Sequence, residues 1–504
     1  MAMRTSDITK KILLGPGLVL CGVASVSAGT ATITASTLHQ KISGFGTCTA
    51  WVGTLTSAEA ALLWDTTTGA GLSLHRTQVS ATGTSTDIAN LKLANGYGVK
   101  IWGSPWTSEY TVQYGTATDG SKMLHLDFNH AQDWANAIGN FVTSVKAAGV
   151  PVYAVSSQNE PDGTGDDNYT AAQIVNWVGN YLGPTIAKLA PEVKIMSPET
   201  MNWCGFAAYK SAILADANAS KYTSIIATHE YGCSPSAYPE IQAAGKEFWE
   251  TEVYDLGSTT EDPGMGSALR VAGYIHSALT VANMNAWHFW WVKPCATASC
   301  GNGALWSQGS NSQPTKRLWV MGNFSRFVRP GFVRVDATAA PTTGVTLTAY
   351  RDSSLTKLVV VAINTNTSST SQSFSLPGIT PTKVTPYVTD GTRNLVADAA
   401  QTVTSNSFTY SLPSQSVTTL VFNLKATTGL SLHAAKRMGT PFWSAGILTV
   451  PGAGDDRFEI VDARGMTRTV ELVSGRADIG RIPAGVYQVR PSGRPQEARH
   501  LLVF

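Results

Sequence analysis

Charge is scarce in this 504-residue chain: Asp, Glu, Lys and Arg make up 14% of it, where an ordinary globular domain carries about 25%. Neither sign prevails, with 36 Lys and Arg against 34 Asp and Glu. There is no field with which to hold a polyanion by counterion release, and nucleic acid is not expected as a partner. Long apolar runs are missing as well. The first, residues 12–26, is interrupted by Gly15, Pro16 and Gly17 and falls short of the ~20 apolar residues that cross a bilayer as a helix. Nothing later reaches that length, so no membrane span is expected. The chain also lacks a phosphate-binding glycine loop and a Cys-x-x-Cys with a matching His pair, so neither an organic cofactor nor a metal is expected.

Aromatic and hydroxyl side chains take the place of charge. Trp (14), Tyr (16) and Gly (46) are abundant, among stretches rich in Ser, Thr and Asn. Such a surface suits a neutral, hydroxyl-rich ligand, a polysaccharide held by ring stacking and hydrogen bonds, although exported proteins in general share this texture. Export is itself expected. Arg4, Lys10 and Lys11 precede the apolar run and Val26-Ser27-Ala28 supplies small residues for cleavage, the pattern of a secretory signal over 1–28. Leu20 before Cys21 argues against a lipid anchor. Of the five remaining cysteines, Cys295 and Cys300 are close enough to pin one loop in an oxidising compartment. That leaves at least one of Cys48, Cys204 and Cys233 as a buried thiol.

From 41 to 330, short apolar runs at 41–47, 71–77, 98–104, 151–158, 192–197, 224–230, 247–253 and 285–292 alternate with helical stretches such as 128–148, 171–190 and 264–282. Strands apolar on both faces and separated by helices predict an α/β fold, a (β/α)8 TIM barrel. From 331 to 424 the texture turns to Thr-, Ser- and Val-rich alternation, which predicts a side β-sandwich domain to which strands in 29–40 contribute. Charge then rises. Residues 425–504 hold 11 Lys and Arg with 7 Asp and Glu, nearly twice the density of the rest, and alternate between Gly turns. This predicts a small C-terminal β module, which resembles modules that mark proteins for secretion or surface attachment, with a carbohydrate-binding module or a plain accessory domain as the alternatives. The protein is expected to be a monomer.

In such a barrel the reacting groups sit at the C-terminal ends of strands. Glu160 in SSQNEPD (156–162) and Glu252 in FWETEVYD (248–255) fall there, 92 residues apart, on the predicted fourth and seventh strands. Cleaving a glycosidic bond takes one carboxyl to protonate the leaving oxygen and another to attack or to activate water. Asn159 is placed to donate to a sugar hydroxyl. Tyr231 in THEYG is placed to donate to Glu252, and Arg76 in LHRT to lower the pKa of a neighbouring nucleophile. Glu250, Glu230 and Glu199 compete for the acid roles, Glu250 sharing a strand face with Glu252. The rings of Trp51, Trp106, Tyr254, Trp290 and Trp291 are candidates for sugar contact, or equally for core.

Five segments together carry a resemblance: NEP at 159–161, TEVY at 251–254, HEY at 229–231, NAWHFWW at 285–291 and RLWVMGNFSRFVRPGFVRV at 317–335. From about 40 to 424 the chain resembles glycoside hydrolase family 30, the retaining clan A enzymes, and most of all the bacterial xylanase subfamily 8. The resemblance implies Glu160 as acid/base, Glu252 as nucleophile and His229 in support. It implies an extracellular endo-β-1,4-xylanase acting on xylan or a related plant cell-wall polysaccharide. A related β-glucanase, β-1,6-galactanase or exo-xylosidase is the alternative within the class, and a non-catalytic sugar-binding barrel the alternative outside it. One departure stands out. The loop at 291–307, WVKPCATASCGNGALWS, carries Lys293 and no arginine where glucuronoxylan-specific members have one. Lysine does not reproduce a bidentate grip on a carboxylate, so strict dependence on glucuronate is not expected.

Overall fold

The computed structural model describes residues 29–258, 260–293 and 301–424, and short runs between 441 and 503. The expected signal, 1–28, and the expected Cys295–Cys300 bridge lie outside the described residues. The chain forms two compact units, 1–425 and 426–504.

In the first unit, strand β1 (Thr30–Lys41) is followed by β2 (Gly44–Cys48), β3 (Leu74–Val79) and β4 (Lys100–Pro105). A hairpin of β5 (Thr111–Thr116) and β6 (Lys122–Leu126) comes next, then β7 (Val152–Ser156), β8 (Lys194–Thr200), β9 (Thr223–Thr228), β10 (Glu247–Glu250) and β11 (Ala286–Trp291). Without β1 and the hairpin, these close into a barrel in the order β2, β3, β4, β7, β8, β9, β10, β11, every pairing parallel. Each matches one of the eight predicted runs to within a few residues.

The closure follows from side chains buried on both faces of these strands. Inward-pointing Leu74, Trp102, Ala154, Met196, Ala227, Trp249 and Ala286 form a core cluster drawn from seven neighbouring strands, so the barrel is filled rather than hollow. Gly46 is required there, because a Cβ would fall 2.3 Å from the His288 ring. His288 accepts from Trp102 Nε1 (3.1 Å), faces the Glu250 carbonyl through Nδ1 (2.9 Å), and is pushed by burial down to about 3, hence neutral. Outside, helices cover the sheet. The helix Ala131–Ala147 buries Trp134, Ile138, Phe141, Val142 and Val145, the spacing of one helical face. Two other helices start at reciprocal capping boxes, Thr56 with Glu59 and Thr170 with Gln173.

Strand β1 lies in a ten-stranded sheet, antiparallel to Val333–Ala337 and parallel to Thr370–Ser375. The buried helix Lys316–Ser325 leads from the barrel into it, Asn323 donating to the Tyr387 carbonyl (3.1 Å) and to Thr419 (3.0 Å). The second unit contains a three-stranded sheet (Phe442–Ser444, Ile447–Thr449, Arg476–Asp478) and a four-stranded one (Thr467–Glu471, Arg457–Val461, Gly485–Pro491, Arg499–Val503). They share a core of Leu448, Val450, Phe458, Ile460, Val470, Leu472, Ile479 and Val489. Among the described residues no helix is long and apolar enough to cross a membrane.

The main core cluster of the first unit draws its buried residues from Ile42 to Val417. Ending the chain after Lys425 should therefore leave its unfolding transition, followed by calorimetry, within a few degrees of the full chain. A collapse of that transition would show that the second unit completes the first.

Candidate active site

The C-terminal ends of the barrel strands bring together most of the residues singled out in the sequence. After β7, Asn159 N–H donates to the Pro105 carbonyl (2.8 Å) and Glu160 N–H to the Glu199 carbonyl (3.0 Å), which clamps this turn between the third and fifth barrel strands. The clamp holds Glu160 at φ +43° and Glu199 at φ +63°, a region that non-glycine residues enter rarely and at a cost. Glu252 follows β10. One carboxylate oxygen of Glu160, one of Glu252 and a ring nitrogen of His229 lie within 4.8 Å of one another.

The two acids have different surroundings. Glu252, its side chain 8% exposed, accepts from the Arg76 guanidinium and from Tyr231 Oη (2.7 Å). Burial pushes this carboxyl up, and His229 and Arg76 pull against it. Glu160 is more open, 18% exposed, and is met by His229 Nδ1 at 3.0 Å. Arg76 is buried on β3. It also donates to Asn159 Oδ1 and to Glu199 (2.7 Å), and its guanidinium lies 4.5 Å from the Trp106 ring centre. Glu199 is buried, and accepts from Ser104 Oγ (2.8 Å) and His229 Nε2 (3.3 Å) as well. Burial opposes its charge, but Arg76 and His229 hold it below the usual carboxylate range. Burial likewise opposes a charge on His229, yet Glu252, Glu160 and Glu199 raise it to about 10. The ring is therefore an imidazolium at neutral pH. With both nitrogens protonated, one directed at Glu160 and one at Glu199, it has no lone pair to offer a metal.

The competing acids separate by environment. Glu250 is fully buried, accepts the His288 N–H (2.7 Å), and is pushed well up by burial and by Glu230. Glu230 is met by Trp287 Nε1 at 3.4 Å, and burial takes it to about 8. In both, burial disfavours the charged form. Asp166, which the motifs did not single out, accepts from Asn159 Nδ2 (2.7 Å) and is raised by burial to about 7.

Trp51, Trp106 and Trp290 form one cluster, with ring centres 5.0, 6.2 and 6.1 Å apart. Trp51, 57% exposed, presents the open ring. Tyr254 packs on Tyr231 at 5.2 Å. Trp291 is buried, stacks on Trp290 and donates its indole N–H to the Ala50 carbonyl (2.6 Å), which makes it a packing residue. Lys293 lies in an ion pair with Glu59 (2.5 Å). A disulfide left open in the sequence, Cys204–Cys233, joins the first turn of the helix Trp203–Ala215, which follows β8, to the loop after β9. Cys48 is the free, buried thiol, pushed by burial to about 12.

Two carboxyl groups this close at the C-terminal mouth of a (β/α)8 barrel, one sheltered by an arginine and the other open beside a cationic histidine, define the class: a glycoside hydrolase. Residues 67–333 match the glycosyl hydrolase family 30 TIM-barrel domain. The chain is 31% identical over 425 residues to glucuronoxylanase XynC of Bacillus subtilis, covering 82% of this chain and 95% of that protein. A family 30 endoxylanase structure from Clostridium papyrosolvens aligns at 31% identity and TM-score 0.67 over 78% of this chain and all of that one. A family 30 subfamily 8 xylanase from Clostridium acetobutylicum aligns at 30% identity and TM-score 0.68, covering 78% of this chain and 99% of that one. The chain belongs to glycosyl hydrolase family 30.

Arg76 is the partner of two buried carboxylates. Replacing it by Met strands both charges, so Arg76→Met should lower stability in urea unfolding by about 3–5 kcal/mol. A loss under about 1 kcal/mol would show that water reaches the cluster.

Proposed function

We propose that this chain is an exported endo-β-1,4-xylanase that cleaves xylan with retention. Glu252 is its nucleophile and Glu160 its acid/base. The observation that carries the proposal is the short separation of the two carboxyl groups, within 4.8 Å by their nearest atoms, well under the roughly 6.5–9.5 Å of inverting pairs that hold a water against the far face of the sugar. It suits direct attack, for which about 5–5.5 Å is usual. Its close family 30 relatives with known activities, glucuronoxylanase and endoxylanases, support the substrate.

Glu252 Oε2 and Oε1 are held by Arg76 and Tyr231, which stabilise the carboxylate that attacks the anomeric carbon. As the glycosidic bond breaks, Glu160 gives its proton to the departing oxygen, and a covalent glycosyl-enzyme forms. Glu160, now a carboxylate, takes a proton from water, whose oxygen attacks the same carbon and frees Glu252. The amide of Asn159, fixed by Arg76 and Asp166, keeps one hydrogen for the sugar 2-hydroxyl, where a hydrogen bond strengthens as positive charge develops. Trp51 offers the exposed ring for stacking.

The decoration preference follows from charge. Lys293, the nearest cation in the eighth loop, is engaged by Glu59, so a glucuronate branch finds no fixed counter-charge there. Undecorated xylan should be cut as readily as glucuronoxylan, with no fixed spacing between the cut and the branch. Strict cutting beside each glucuronate, lost in Lys293→Ala, would overturn this. For the chemistry, Glu252→Gln should fall below about 10⁻⁴ of the wild-type rate, and Glu160→Ala should be partly restored by azide on an activated aryl xyloside. Full activity in either variant removes that residue from the mechanism.

A further inference from the structure

The two catalytic carboxyls do not touch, but a continuous chain of charges joins them: Glu252, Arg76, Glu199, His229, Glu160. Glu199 is the middle member, fully buried, and it meets both cations. Its second oxygen is taken by Ser104 Oγ at 2.8 Å. Nothing in the double-displacement chemistry uses it as an acid or base, since it lies behind Arg76 and His229 with no exposure.

We infer that Glu199 is a positioning residue that fixes the charge between the two catalytic carboxyls at one net positive unit. This allows one of them, and only one, to be ionised at each stage of the reaction. The inference rests on the double-displacement reading above. Arg76 and His229 contribute two positive charges and Glu199 one negative. Before attack, the matching negative charge is Glu252 and Glu160 is protonated. In the glycosyl-enzyme, Glu252 is an uncharged ester and the matching charge is Glu160. The proton leaves Glu160 as the negative charge leaves Glu252, so the fixed charges suit both stages without rearranging. With Glu199 neutral, two fixed positive charges would favour two carboxylates at once and strip Glu160 of the proton it must donate.

Of the other ionisable groups facing the cluster, all but Asp166 leave this balance in place. Cys48, beside Arg76 from β2, is a protonated thiol, and Tyr231 is pushed well above the usual phenol range. His288 is neutral within the barrel. Glu230 and Glu250, from the sixth and seventh strands, are both raised by burial, which disfavours their charged forms. Asp162 is raised by burial, and Asp166 titrates at about 7 at the more open edge.

The test is the pH profile of kcat/KM on a soluble xylooligosaccharide. Glu199→Gln keeps an acceptor for Arg76 or His229 but removes the charge. Its alkaline limb, set by Glu160, should move to lower pH by about one unit or more, the usual effect of one charge within ~4–6 Å. Glu199→Asp, which restores the charge, should return the limb toward the wild-type position even where kcat stays low. A lower kcat with an unmoved profile in both variants would mean that Glu199 only shapes the fold, and would overturn the inference. Should Glu199→Gln fail to fold, nitrogen-15 NMR of histidine-labelled wild-type protein decides. The His229 resonance, assigned by its shift in Glu160→Gln, should be that of an imidazolium at pH 7, and a neutral ring overturns the inference. Glu252→Gln and Glu160→Ala, measured alongside, keep the two ideas apart. Full activity in either takes the double-displacement reading and this inference down together. Inactivity in both with an unmoved Glu199→Gln profile removes this inference alone.

Discussion

A guanidinium sealed away from water organises the mouth of this barrel. Taking Arg76 out of solvent costs several kcal/mol, recovered only if its donors meet well-placed acceptors. Those acceptors are Glu199, Glu252 and Asn159, with Ser104 beside them and the Trp106 ring beneath. Each acceptor comes from a different strand end, so satisfying one cation fixes four strands relative to one another. His229 repeats the device on a smaller scale, tying the sixth strand to the fourth and fifth through Glu160 and Glu199. A site held by charges in a dry interior is stiff, because any displacement leaves a buried charge unmet.

That stiffness makes backbone strain tolerable. Trp51, Glu160 and Glu199 are all non-glycine residues at positive φ, each costing of the order of 1–3 kcal/mol. All three lie just beyond or at the end of a barrel strand. The parallel sheet delivers the chain to the mouth along its own axis, and a side chain that must turn back over the opening needs an unusual backbone. The packed interior layer and the capped outer helices hold these turns against relaxation.

The barrel was legible because its periodicities are strong: eight apolar runs recurring about every thirty residues leave few other folds. The acids of the mouth were legible as candidates, since a carboxylate ending a buried strand is expensive and stands out. Choosing among Glu160, Glu199, Glu230, Glu250 and Glu252 was not possible from period alone. What separates them is the company of residues far away in sequence, Arg76 for Glu252 and Glu199, Trp287 for Glu230, His288 for Glu250. The Cys204–Cys233 bridge stayed hidden for the same reason, because its two ends become neighbours only once the fifth and sixth strands pair. Asp166 gave no signal, being one of several aspartates in a polar turn, and Trp291 could not be told from Trp290 although successive residues of one strand face opposite ways.

Strand β1 carries a consequence for how the molecule is made. It is the first described element to leave the ribosome, yet its partners, Val333–Ala337 and Thr370–Ser375, emerge some three hundred residues later. Until then its edges are unpaired, and loop closure over that distance must precede any gain from the pairing. The barrel closes without β1, so the barrel's own strands can all be made before β1 finds either neighbour, and the side sheet is the last part of this unit whose pieces are all in hand.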